Sequence, residues 1–203
     1  QLQVVSGFSP VAAGSALLPI TVVMLLLSAR MGRLSQRIGP RLPMTVGPIV
    51  AGAGLALLAR IGPDASYLTD LLPALLVFAL GLSATVAPLT ATVLAAAPAR
   101  QVGIASAINN DVARVAGLLA VAVLPGLAGI TPSTYAHPGE LSTGFQHAVL
   151  IAAALCAFGG VLSALLIRNR DETEAPSEPA PPEPARAASA ALRCPISTPH
   201  PDR

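Results

Sequence analysis

No lysine and no tryptophan occur among the 203 residues, cysteine appears twice, and charged residues of both signs together reach only 11%. Each shortage closes off a class of protein. Soluble domains carry about 25% charged residues, so less than half of the usual charge is left to solvate a surface. Meanwhile 53% of the residues are hydrophobic and the mean hydropathy is +0.69. A membrane protein is the class that this composition fits. A net charge of +2 with 3% aromatics gives no basic patch interleaved with rings, which excludes nucleic acid as a partner. Cys156 lies in an apolar run and Cys194 in a proline-rich tail, which suits neither a disulfide framework nor a metal site. His137 and His147 have no cysteine or acid at ligand spacing, so no metal is expected there either. There is no Ser–His–Asp layout, phosphate-binding loop or dinucleotide fingerprint. Neither an enzyme nor a cofactor is therefore expected. With lysine missing, every fixed positive side chain is an arginine, which reads as a compositional bias rather than as chemistry.

The apolar residues gather into runs. A bilayer core of about 30 Å needs roughly 20 of them per helix, and five segments qualify: about Val11–Ala29, Leu42–Ala59, Leu71–Ala97, Val102–Ile130 and Phe145–Ile167. The fold class expected is thus an all-α polytopic membrane bundle of about five transmembrane helices. Residues 10–168 would form the transmembrane region, and 1–9 the end of a preceding span with its outer loop. Residues 169–203, rich in Pro, Ala and Glu with almost no large apolar side chain, would be a disordered tail. The chain opens on Gln1 with no charged leader or cleavage site, so it is expected to start inside a longer polypeptide.

Short connections make successive spans antiparallel, so the connections alternate in side. One side collects Arg30, Arg33, Arg37, Arg41, Arg100, Arg168 and Arg170. The other has Arg60, together with Asp64, Asp70, Glu140 and both tyrosines, Tyr67 and Tyr135. Such asymmetry is the positive-inside pattern, with tyrosines at the outer interface. It places the arginine-rich connection and the C-terminus in the cytoplasm and the protein in the cell membrane.

The densest arginine stretch, Ser28–Arg41, reads SARMGRLSQRIGPR. Its glycines are expected to allow tight helix exits and close helix approach. Its arginines supply fixed donors for helix ends and for headgroups at that face. The part MGRLSQRIGPR resembles the loop motif G-x-L-a-D-r-x-G-r-[kr] of the major facilitator superfamily, in the copy from the second half of those transporters. Gly32, Leu34, Arg37, Gly39 and Arg41 match, Arg33 lies within the motif, and Gln36 stands where the family prefers an acid. Two further stretches are similar to fourteen-span drug:proton antiporters of that superfamily. LQVVSGFSPVAAGSALLP resembles an outer loop with its following helix, and GIASAINNDVARVAGLLAVAV resembles the penultimate span. The resemblance implies the last five spans of fourteen, with the N-terminal half missing, and proton-driven export of a small amphipathic substrate by alternating access. It also implies that the principal proton-coupling acids lie in that missing half. The alternative is a truncated, non-transporting membrane protein with a structural or interaction role.

The sharpest chemistry is SAINNDVARVAG, Ser106–Gly117. Gly103, Ala107, Asn110, Arg114 and Gly117 share one helix face, and Asp111 stands three residues before Arg114, within reach of an ion pair. Asn109, Asn110, Asp111 and Arg114 are the candidates for the substrate path or gate. An ion at a helix centre costs about 2.5–3.5 kcal/mol on insertion scales and marks a pathway. A second placement remains open: Val112–Ile130 is long enough to span alone, and Arg114 would then snorkel at the interface. Pro19, Pro48, Pro73, Pro88 and Pro125 lie in or near spans, where each can kink a helix. GPIVAGAG, from Gly47, weakly resembles the Gly-Pro antiporter signature of an earlier span.

Overall fold

A computed structural model describes residues 1–62 and 65–167. Every regular element among them is helical. After a hydrogen-bonded turn at the N-terminus come α1 (Pro10–Ser15), α2 (Leu18–Ile38), α3 (Arg41–Leu58), α4 (Leu72–Ala96), α5 (Val102–Leu127) and α6 (Pro138–Leu166). Counting α1 with α2, five helical stretches are long and apolar enough to cross a membrane, which matches the five expected spans. The proposed tail, together with Asp64, Arg168 and Arg170, lies outside the described residues.

The departures from the expected boundaries have local reasons. The first helix pair starts at Ser9, whose hydroxyl accepts the Ala12 N–H at 3.2 Å. It is interrupted at Ala16–Leu17, because Pro19 has no N–H to bond the preceding turn. α2 then runs nine residues beyond Ala29, so most of SARMGRLSQRIGPR is helix rather than loop. Ala, Arg, Met, Leu and Gln are strong helix formers, and the chain breaks only at Gly39, where φ is +84°. α6 begins at Pro138, seven residues before the expected Phe145. Proline suits the first helical turn, and Glu140 adds an acid beside the N-terminal dipole. α5 stops at Leu127, three residues early, where Gly129 turns with φ +73°.

α3 is the hub, packed by α4 on one side and α6 on the other. Glycines let the backbones meet. A methyl at Gly47 would sit 2.5 Å from Thr85 Oγ1 and 3.0 Å from the Ala84 carbonyl carbon. One at Gly81 would collide with the backbone of Ala51, and one at Gly54 with the backbone of Phe78. Toward α6, a methyl at Gly52 would sit 2.8 Å from the Ala153 carbonyl oxygen, and one at Gly160 would sit 2.8 Å from the Thr45 carbonyl oxygen. Residues rising along α3 thus meet residues falling along both neighbours, so α3 is antiparallel to α4 and to α6. GPIVAGAG is the small-residue seam through which lipid-embedded helices pack. Pro48 and Pro88 sit at this seam, each depriving its helix of one internal bond. Thr92 Oγ1 donates to the Pro88 carbonyl at 2.8 Å and Thr85 Oγ1 to the Gly81 carbonyl at 2.7 Å.

The bundle has two chemically distinct ends. At one, Ala16, Ile61, Leu71 and Leu75 form a buried apolar cluster, and the Tyr67 hydroxyl donates to the Ala16 carbonyl at 3.3 Å. Arg60, Asp70, Glu140 and Tyr135 belong to the segments at this Ile61 end. At the other, the Arg41 Nε–H donates to the Ala164 carbonyl at 3.1 Å, across 123 residues of sequence. This fastens the start of α3 to the last turn of α6 and sets a cation at a helix C-terminus.

Candidate functional site

α5 carries the candidate polar run, and it stands apart from the seam. None of its residues is buried, and its contacts with α4 and α6 are few. Asn109 is half-buried, whereas Asn110, Asp111 and Arg114 are exposed. Added methyls at Gly103 and Gly117 would meet nothing within 4 Å, so the face shared by Gly103, Asn110, Arg114 and Gly117 is open.

The expected ion pair does not form. No hydrogen bond or ion pair joins Asp111 to Arg114, and neither side chain has a polar partner among the described residues. Arg114 is the thirteenth of the 26 residues of α5, at the middle of a rod about 39 Å long. A guanidinium, a carboxylate and two amides thus stand near mid-length on an otherwise apolar helix, unclaimed by α2, α3, α4 or α6. Chemically they can donate to and accept from a group outside these helices, or hold water.

The loop-motif residues lie at the Arg41 end. Gly39 makes the break between α2 and α3, as its motif position suggests, but a methyl at Gly32 would meet nothing within 4 Å, so no close helix approach requires that glycine. Gln36 and Arg37 are exposed in the last turn of α2. The Arg33 Nε–H donates back to the Ala29 carbonyl at 3.4 Å, and Arg41 holds α6. That last contact, and the Gly52–Gly160 seam, escaped the sequence reading. The spacing of GPIVAGAG was the available signal for the seam, and nothing local announced Ala164 as a partner.

A cavity of about 570 Å³ lies elsewhere. It opens at the Ile61 end among Leu17, Leu58, Ile61, Leu75 and Phe145 and touches no residue of α5. The Gln1 side chain lines it and donates to the Ile61 carbonyl at 3.2 Å and to Ser142 Oγ at 3.3 Å. No group of three His, Cys, Asp or Glu suited to a metal occurs among the described residues.

A helical bundle sealed by glycines along one seam, with five stretches long and apolar enough to cross a membrane, fits a polytopic membrane protein. The family model described as "Major Facilitator Superfamily" matches residues 1–121, and the chain belongs to that superfamily. It is similar to the puromycin resistance protein pur8 of Streptomyces alboniger, 32% identical over 91% of this chain and 39% of that protein. It is also similar to the quinolone resistance protein NorB of Staphylococcus aureus (strain COL), 31% identical over 83% of this chain and 36% of NorB. The chain therefore spans less than two fifths of the length of these relatives.

Proposed function

We propose that this chain is the C-terminal part of a proton-coupled secondary transporter that exports small amphipathic or lipophilic compounds by alternating access, with no reaction catalysed on the substrate. The observation that carries the reading is the alignment of nearly the whole chain with proteins named for resistance to puromycin and to quinolones. These names favour transport over a non-transporting scaffold. The geometry supports the same reading. Two unpaired ions in hydrocarbon each cost about 2.5–3.5 kcal/mol, so α5 requires water or a further protein surface beside it. The remainder of a full-length transporter, with the substrate path between two helix bundles, supplies both.

In this reading Asn110 and Arg114 face the path near the bilayer midplane, Asn109 and Asp111 flank them, and the proton gradient drives export. Asp111 is not assigned as the proton carrier, because the resemblance puts the coupling acids in the part that precedes these spans. The Arg41 end lies in the cytoplasm, by the positive-inside rule, and the C-terminus with it. Gly32, Arg33, Gln36, Arg37, Gly39 and Arg41 form its loop motif, with Gln36 able to hydrogen-bond but not to pair as an ion.

The deciding experiment is proton-driven dye efflux by the full-length protein in everted membrane vesicles. Arg114→Ala should lower the efflux rate at least tenfold while leaving the amount inserted in the membrane unchanged. Unchanged efflux removes Arg114 from the path, and a wild-type protein that responds to no proton gradient removes the antiport reading.

A further inference from the structure

The exposed face of α2 has a polarity that its packing does not use. Val22, Leu26, Arg30, Arg33 and Arg37 fall within about 80° of one another on a helix of 3.6 residues per turn. All five are exposed, Val22 and Leu26 at 52% and 56%. One continuous stripe therefore runs from bare hydrocarbon side chains to three guanidinium groups. Arg30 Nη1–H donates to the Leu26 carbonyl at 3.0 Å and Arg33 Nε–H to the Ala29 carbonyl at 3.4 Å. These bonds fix the stems along the helix and leave the other guanidinium donors unused. No acid pairs with Arg30, Arg33 or Arg37 among the described residues. The described acids Asp70 and Glu140 belong to the Ile61 end, and Asp111 is on α5. A second cavity of about 360 Å³ adjoins this end, lined by Arg41, Leu42, Thr45 and Ala164.

We propose that this stripe is a binding site for one anionic phospholipid, whose phosphate lies against Arg30, Arg33 and Arg37 while an acyl chain follows Leu26 and Val22. Charge complementarity selects the occupant. Three arginines with no acid partner among the described residues suit a phosphodiester, which guanidinium groups bind in a bidentate manner. The apolar run directly above them suits a lipid rather than a free anion. Each basic group near an anionic surface contributes a factor of about five in affinity, so the three together contribute on the order of 100-fold. The site depends on membrane embedding and on this face of α2 staying open to lipid in the full-length protein, not on the export reading.

The test is native mass spectrometry of the full-length protein in detergent, titrated with phosphatidylglycerol or phosphatidylcholine, with no transport measured. Phosphatidylglycerol should bind wild type with a stoichiometry of one, and phosphatidylcholine should bind far more weakly. The triple variant R30Q/R33Q/R37Q should bind phosphatidylglycerol on the order of 100-fold more weakly. The variant R60Q, changed at the Ile61 end, should bind it as wild type does. Should the triple variant not purify, the three single glutamine variants decide, each expected to be about fivefold weaker. Equal binding of both lipids, or unchanged binding in the arginine variants, overturns the proposal. So does equal displacement by glycerol 3-phosphate, which would mark a simple phosphate site.

Discussion

α3 and α5 are both apolar helices, of 18 and 26 residues, and the bundle treats them in opposite ways. α3 has six buried residues, three of them glycines, and is gripped from two sides. α5 has none buried, and it carries Asp111 and Arg114 at mid-length. In lipid, where apolar side chains gain nothing by leaving water, helices hold together through backbone proximity. α3 is built for that proximity with the helices of this chain. α5 leaves its small residues, Gly103, Ala107 and Gly117, and its ions open among the described residues. One helix is packed as scaffold within this bundle, and the other is left open.

The difference has measurable consequences, largest in the seam. Gly81→Ala drives a methyl into the Ala51 backbone and should destabilise the full-length protein by about 3 kcal/mol, read as loss of the monodisperse peak after heating in detergent. Gly52→Ala, whose methyl would sit 2.8 Å from the Ala153 carbonyl oxygen, should cost about 1–2 kcal/mol in the same assay. Arg41→Gln removes the cation from the last turn of α6 and should cost about 0.5 kcal/mol, with insertion and topology unchanged. Gly117→Ala on α5 should change stability least, by less than about 0.5 kcal/mol, because its methyl enters open space among the described residues. A loss at Gly117 as large as that at Gly81 would show that α5 is packed as tightly as α3 in the complete protein. It would then no longer contrast with α3.

Much of this was readable in the residues. Length and hydropathy located all five spans, because hydrocarbon thickness sets helix length, and the α3 and α4 boundaries fell within a residue of those observed. The helical extension of α2 through Arg30–Ile38 was not readable. Arginines and a glycine there matched the composition of a loop, while the helix propensity of the intervening residues carried the structure. The GPIVAGAG spacing was visible, but which helices it would join depends on contacts 24 or more residues away in the chain. The Asp111–Arg114 pair looked plausible from spacing, yet a three-residue separation permits contact without requiring it. In the described bundle, both side chains turn to open surroundings.

The Arg41–Ala164 bond also sets an order of assembly. α3 leaves the ribosome roughly 100 residues ahead of the last turn of α6, about 5–20 s earlier at ordinary rates of synthesis. Through that interval its Gly52 flank lacks the partner that α6 supplies, so the α3–α6 side of the hub cannot be locked until α6 arrives. Chains of the full-length protein stopped after α5 should insert their spans up to that point and then be cleared by membrane proteases faster than the unstopped product, as pulse-chase labelling would show. Equal lifetimes would mean that the earlier helices already hold themselves shut.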